Sequence, residues 1–179
     1  MAESGNNLPD TRQFGRFISH YIRHHMDPAV RYMCAHYAGY CSFTKQLQSV
    51  LRQCAEDQDE HPLVRGQCLE SLSHQASWKR SKLRDKKVGR TIMRCLRDPN
   101  ANVRFWACFA TAHLRMHEAT PILKSLTQDS GVGSMGWTVA YEAGETLKYL
   151  KGQPAWQEQL DFCPSPGTNF WPSFRPFSP

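Results

Sequence analysis

Two histidine pairs stand four residues apart, His20 with His24 and His113 with His117. On a helix such a pair points both imidazoles to one side, which metals exploit. Two ligands do not make a site. The sequence holds no His-Glu-x-x-His run and no Cys-x-x-Cys pair. Both pairs also fall near expected helix ends, where His suits the helix dipole. No metal or other cofactor is expected. Among the cysteines, Cys41 at a helix end is the one placed for reactivity, yet no His-plus-acid set accompanies it. Cys34, Cys68 and Cys108 take buried-face positions, where cysteine behaves as a small hydrophobe. Gly-x-Ser-x-Gly, P-loop and dinucleotide glycine patterns are missing, and Gly131-x-Gly133 is too short to replace them. No catalytic residue is nominated, and the chain is not expected to be an enzyme.

The other chemistry-bearing stretch is electrostatic. The net charge is +6, and the segment from Lys79 to Arg90 alone sums to +6. Its cations are Lys79, Arg80, Lys82, Arg84, Lys86, Lys87 and Arg90, with Trp78 just ahead. Clustered Lys and Arg beside a Trp suit a phosphate backbone, an acidic protein surface suits them equally, and a solvated loop is the plain alternative. Positive charge near the start of the next helix opposes its dipole. An acidic run, Glu56-Asp57-Gln58-Asp59-Glu60, reads as a solubilising turn.

The elements that position these residues follow from a repeated phrase. Asp27-Pro28-Ala29-Val30-Arg31, His61-Pro62-Leu63-Val64-Arg65 and Asp98-Pro99 with Val103-Arg104 place the Val-Arg pairs 34 and 39 residues apart. Periods of this length mark stacked helical repeats. Four and five positions after each Val stand Cys34 and Ala35, Cys68 and Leu69, and Ala107 and Cys108, which let helices approach closely. Before each phrase runs another helical pattern. Phe14, Phe17, Ile18, Tyr21 and Ile22 form the first; Phe43, Leu47, Val50, Leu51 and Cys54 the second; Val88, Ile92, Cys95 and Leu96 the third. Each unit is helix, turn, helix. Asp suits the helix cap and Pro its first position. A fourth unit has Thr120 as N-cap before Pro121, and a partner helix containing Trp137, Val139, Ala143, Leu147 and Leu150. Its Val-Arg phrase is lost, as a terminal repeat allows.

These phrases resemble HEAT repeats, especially the short bacterial kind found also in phycobilisome lyases. The fullest match is "DPNANVRFWACFATAHLRMHEATPILKSL", from Asp98 to Leu126. The resemblance covers about residues 10–151. It implies an all-α, right-handed α-solenoid of about four helical hairpins. It further implies that Arg31, Arg65 and Arg104 form a ladder with acids in neighbouring turns. Residues 1–9 read as a flexible N-terminus. Residues 152–179 hold six prolines and six large aromatics and read as an extended tail. It either packs over the last repeat, with Trp156 and Phe162 burying first, or docks a partner.

The expected function is non-catalytic protein binding through the concave face made by the second helix of each unit. The role is adaptor, assembly factor or small neutralising partner. Exposed candidates are Tyr32, His36, Tyr37, Gln67, Glu70, Phe105, Phe109, Tyr141 and Glu142. The alternative is a nucleic-acid binder, conceivably a base-repair enzyme, using the basic segment with Trp78, Trp106 and Trp137. No apolar run reaches the ~18–20 residues of a membrane span. The polar start, Met1 to Pro9, has no signal pattern, and an odd number of cysteines, seven, fits a reducing compartment. A cytoplasmic location without membrane contact is expected. Nothing in the sequence fixes the oligomeric state.

Overall fold

The computed structural model describes residues 11–41, 44–78 and 86–156. Among them the fold is all-helical: α1 (Thr11–His24), α2 (Pro28–Ala38), α3 (Lys45–Glu56), α4 (Pro62–Trp78), α5 (Lys86–Cys95), α6 (Ala101–His113), α7 (Thr120–Leu126) and α8 (Val139–Leu150). No helix among the described residues is long and apolar enough to cross a membrane.

The repeated phrase starts the second helix of each hairpin. Asp27 caps α2 by accepting from Ala29 N at 2.8 Å. His61 does the same for α4 with its imidazole, Nδ1 accepting from Leu63 N at 3.3 Å. At the third turn Asn100, not Asp98, is the cap: it accepts from Asn102 N at 2.9 Å. Asp98 is released for another task. The fourth hairpin also departs from expectation. Thr120 is the first residue of α7, with its hydroxyl donating to His117 O at 2.7 Å, because a 3-10 turn at His117–Ala119 runs straight into the helix. Trp137 precedes α8, which Thr138 caps through Tyr141 N at 3.1 Å.

The second helices α2, α4, α6 and α8 pack in succession, each on the next. Their partners α1, α3 and α5 do likewise, and α7 packs on α8. The core between the rows is apolar: Ile18, Ile22, Leu47, Leu51, Val64, Leu69, Leu72, Ile92, Leu96, Val103 and Leu123 are buried. Ala35, Leu69 and Cys108 occupy the same buried slot. Cys68 and Ala107 are buried too, but Cys34 is only half-buried, at α2, which among the described residues has a neighbour on one side of its row.

Each Val-Arg arginine reaches into the next hairpin. Arg31 Nε and Nη2 donate to Glu60 Oε2 and Oε1 at 2.6 and 2.7 Å. Arg104 Nε and Nη2 donate to Asp129 Oδ2 and Oδ1 at 2.7 and 3.0 Å. Arg65 pairs with Asp98, and both side chains are buried. Each arginine also donates to carbonyls of its own turn: His25 and Met26, Ala55, and Asp98 and Pro99 respectively. The ladder thus ties every turn to the next through forked, charge-assisted bonds. The acidic run is not a simple solubilising loop. Glu60 belongs to Arg31, Glu56 pairs with Arg94 and accepts from Thr91, and Gln58 joins Asp98.

The segment ahead of α8 lies tight against α6. A Cβ on Gly133 would stand 2.5 Å from Phe105 Cβ and 2.6 Å from Phe105 Cγ. Phe105 is buried there. Replacing Gly133 by Ala should therefore cost roughly 1–3 kcal/mol by overpacking. Urea unfolding of the variant checks this; an unchanged midpoint would mean the segment yields freely.

Candidate functional site

Aligning the hairpins on Val30, which is half-buried, and on the buried Val64 and Val103 places the buried Val139 in the fourth slot. Two hydrogen bonds support the alignment. Ser71 Oγ donates to Ala35 O at 2.6 Å, and Thr146 Oγ1 donates to Cys108 O at 3.1 Å. Both run from the position seven after one valine to the position five after the preceding one. The Val-Arg phrase had hidden this register, because Ala140 follows Val139 where Arg stands elsewhere.

Ten residues after each valine comes a ring: Tyr40, His74, His113 and Tyr149. That spacing, visible in the sequence, is the signal missed when the candidates were chosen by helix position. Tyr40 and His113 are exposed, His74 and Tyr149 half-buried. The rings connect. His36 lies edge-on to Tyr40 with centroids 5.5 Å apart. His74 is 5.5 Å from His113 and 6.2 Å from Phe109, and Phe109 sits 4.2 Å from His113. Trp106 meets Phe109 edge-on at 5.4 Å. The Arg115 guanidinium lies 5.3 Å from the Tyr149 ring centre. Each second helix therefore contributes to a row of aromatic and imidazole side chains. Partial desolvation of the ring, then the neighbouring His74, lowers the His113 pKa, which favours the neutral imidazole.

Several expected residues stand on this row. His36, Phe109 and Tyr141 are half-buried; Tyr32 is half-buried beside Glu70, with its phenol pushed up by burial and then by that carboxylate. Gln67, Phe105 and Glu142, expected to be exposed, are buried. Gln67 and Glu142 share the position three after their valines, which turns toward the preceding second helix. Phe105 is covered by the Gly133 segment. Tyr37 is exposed, its ring 5.6 Å from that of His36.

Other expectations fall. His113 ends α6, and Arg115 turns the chain with φ +49°, so His113 and His117 do not share a helix. Among the described residues no group of three His, Cys, Asp or Glu could hold a metal ion. The Cys41 thiol donates to Tyr37 O at 3.4 Å and its pKa is raised by burial, which suppresses the thiolate. Burial raises Cys34, Cys68 and Cys108 as well, and takes Cys95 to about 12.

Of the basic segment, Lys79, Arg80, Lys82 and Arg84 lie outside the described residues, as do Phe162 and the later tail aromatics. Lys86, Lys87 and Arg90 are exposed on the first turns of α5. Because the arginine ladder joins the turns inside hairpins, those turns share one edge. Lys45, Lys86, Lys87, Arg90 and Arg115 stand at or beside the connections between hairpins, and Lys148 and Lys151 at the end of α8. A groove of about 520 Å³ opens at the ladder edge, between Leu96, Arg97 and α7 residues Pro121, Ile122 and Leu126.

Trp156 is the first tail ring against α8. The positive φ of Gly152, +74°, ends the helix, and Gln153 N donates to Lys148 O at 3.0 Å. Trp156 Nε1 then donates to Glu142 Oε2 at 3.0 Å, its backbone N–H goes to Glu145, and its ring meets Tyr149 at 5.5 Å.

No family model, curated protein or solved structure matches this chain.

Proposed function

We propose that this chain is a non-catalytic protein-binding module, a right-handed solenoid of about four HEAT-like hairpins with the second helices on its concave side. The observation that carries the reading is the row of rings ten residues after each valine. Aromatic anchors dominate the energetic centres of protein interfaces, where Lys, Asp and Glu are depleted. The arginine ladder supports the HEAT resemblance, since the paired acids come from successive turns. Adaptor, assembly factor and neutralising partner are all roles that such a face can serve.

A second reading, nucleic-acid binding, is favoured by the cations at three successive connections between hairpins and at the end of α8. Phosphate backbone would bind there with steep salt dependence. One experiment separates the two. The tagged full chain, a Phe109→Ser/His113→Ser variant and a Lys86→Glu/Arg90→Glu variant are used to capture partners from native extract, with and without nuclease. Under the protein reading, a protein partner survives nuclease, is lost with the α6 variant and is retained by the α5 variant. Capture that vanishes with nuclease and with the α5 charge reversal would replace it by the nucleic-acid reading.

A further inference from the structure

The valine register extends beyond one row of rings. Two, six and ten residues after Val30, Val64, Val103 and Val139 stand twelve positions, one helical turn apart along each second helix. Nine hold a ring, one is Gly66, and two are glutamates, Glu70 and Glu145; none is Lys or Arg. The chain as a whole carries +6, so its cations lie elsewhere. The arginine of each Val-Arg phrase is taken up by the ladder. Lys148, the remaining Lys or Arg of these helices, belongs to Glu145 at 2.6 Å.

Glu70 differs from the other acids. Glu56, Glu60, Asp98, Asp129 and Glu145 each pair with a cation, and burial drives Glu142 toward its neutral form. Glu70 is half-buried, and among the described residues no cation pairs with it. Gln67 Nε2 donates to Glu70 Oε2, and Gln67 is 2% exposed. The buried amide thus holds the carboxylate in one direction and leaves it acceptor capacity.

Rings flank that carboxylate, because α4 packs against both α2 and α6. On the α2 side is Tyr32, whose phenol is raised by burial and then by Glu70. On the α6 side the Trp106 indole lies directly on Gly66, one turn before Glu70. Gly66 admits it: a Cβ there would run into Trp106 and stand 2.7 Å from Asn102 Nδ2. Phe109 meets Trp106 at 5.4 Å and His74, one turn after Glu70, at 6.2 Å.

We propose that Glu70 and these rings bind an arginine side chain presented by the protein partner. The proposal rests on the protein-binding reading above and names the chemistry that the partner brings to the face. A carboxylate held among π faces favours a cation, and a flat guanidinium can fork onto the carboxylate while it stacks on an indole or phenol. The molecule already shows one guanidinium over a ring of this register, Arg115 over Tyr149 at 5.3 Å. There the cation comes from the chain itself; at Glu70 none of the described cations arrives. The distribution of charge also gives the binding a sign. Lys86, Lys87 and Arg90 repel a basic segment at the start of α5, whereas Glu70 attracts one to the second helices and repels phosphate there.

The full chain with isotope-labelled tryptophan is titrated with hexa-arginine, hexalysine and hexaglutamate peptides at about 0.15 M ionic strength. The Trp106 indole signal, assigned with Trp106→Phe, is followed by NMR. Hexa-arginine should shift it saturably, hexalysine should bind several-fold more weakly, and hexaglutamate should leave it in place. Glu70→Gln keeps the shape and still accepts from Gln67; it should weaken hexa-arginine about tenfold with unchanged melting. Asp59→Asn, in the exposed acidic run, should bind as the parent does. No shift with hexa-arginine up to about 2 mM overturns the proposal, as does a shift indifferent to Glu70→Gln or equal binding of hexalysine. A variant with Lys79, Arg80, Lys82 and Arg84 all changed to Gln that binds through Glu70 where the parent does not would also overturn it, making that segment the occupant. Capture from native extract keeps the two readings apart. A protein lost with Phe109→Ser/His113→Ser but fully retained by Glu70→Gln refutes the arginine site and leaves the protein-binding reading standing.

Discussion

Replacing Arg65 by Ala should lower unfolding free energy by about 3–5 kcal/mol, the usual cost of leaving one member of a buried ion pair unpaired. Arg65 and Asp98 are 3% exposed at their side chains. Removing Arg65 strands the Asp98 carboxylate and also the Ala55 carbonyl to which Arg65 Nε donates at 3.2 Å. The outer rungs make useful controls. Arg31 and Arg104 are 17% exposed, so water can replace them, and Ala variants there should each cost less than Arg65→Ala. Urea titrations of the three variants give the ranking; equal losses would show that the ladder contributes evenly. A double variant, Arg65→Met with Asp98→Asn, should recover part of the loss, because no buried charge remains unpaired. The pair also sets acid sensitivity. Burial pushes the Asp98 carboxyl up, but hydrogen bonds from Arg65, Asn100 and Gln58 outweigh it, and its pKa lies below the ordinary 3.8. A depressed carboxylate contributes stability above its unfolded pKa and loses it as pH falls through the folded value. The Asp98 contribution is thus complete at neutral pH and disappears in strong acid.

Glu142 should act in the opposite direction, and its effect is the second largest expected. Burial drives its pKa from 4.5 to about 7; the Trp156 indole bond opposes that rise and neighbouring Glu145 adds to it. Oε1 has no hydrogen-bond partner. Folding therefore favours the protonated acid. With the folded state binding more protons at this site than the unfolded chain, the Glu142 contribution to stability is fully present below about pH 4.5 and is lost as pH rises through about 7. The decline amounts to about 3 kcal/mol. Glu142→Gln keeps the shape and an oxygen for Trp156 while removing the charge. It should flatten the stability profile between about pH 5 and 8 and raise stability at the alkaline end. Urea midpoints measured across that range on parent and variant decide it; parallel profiles would mean that Glu142 stays ionised in the folded protein. Trp156→Ala should steepen the parent profile, because it removes the one bond favouring the carboxylate.

Glu142 also illustrates what a sequence conceals. The sequence alone makes it an exposed recognition residue on the second helix of the fourth unit, one position from Tyr141. The helix was correct and the rotation was not. The Val139 register turns Glu142 into the joint with α6, and a 100° change of azimuth separates a half-solvated side chain from a buried one. Gln67 failed for the same reason. Phe105 failed for another, since the segment that covers it arrives from residues almost thirty positions later. Trp156, by contrast, was legible as a tail residue near the last helix.

By itself the sequence determined what depends on local patterning: helical elements from 3.6-residue periodicity, turns from Asp-Pro and His-Pro, the hairpin unit from a recurring phrase, and the three arginines as a matched set. These follow from backbone propensity, capping and repetition, which act within a few dozen residues. Only the tertiary structure decided which acid each arginine takes, that Asp98 serves the ladder while Asn100 caps α6, and that Phe14, Phe17, Met33 and Tyr37 face outward. Pairing partners and exposure are set by what arrives from the next hairpin. Among the described residues no helix precedes the first hairpin, so the same spacing that builds a core elsewhere leaves Phe14, Phe17, Met33 and Tyr37 exposed there.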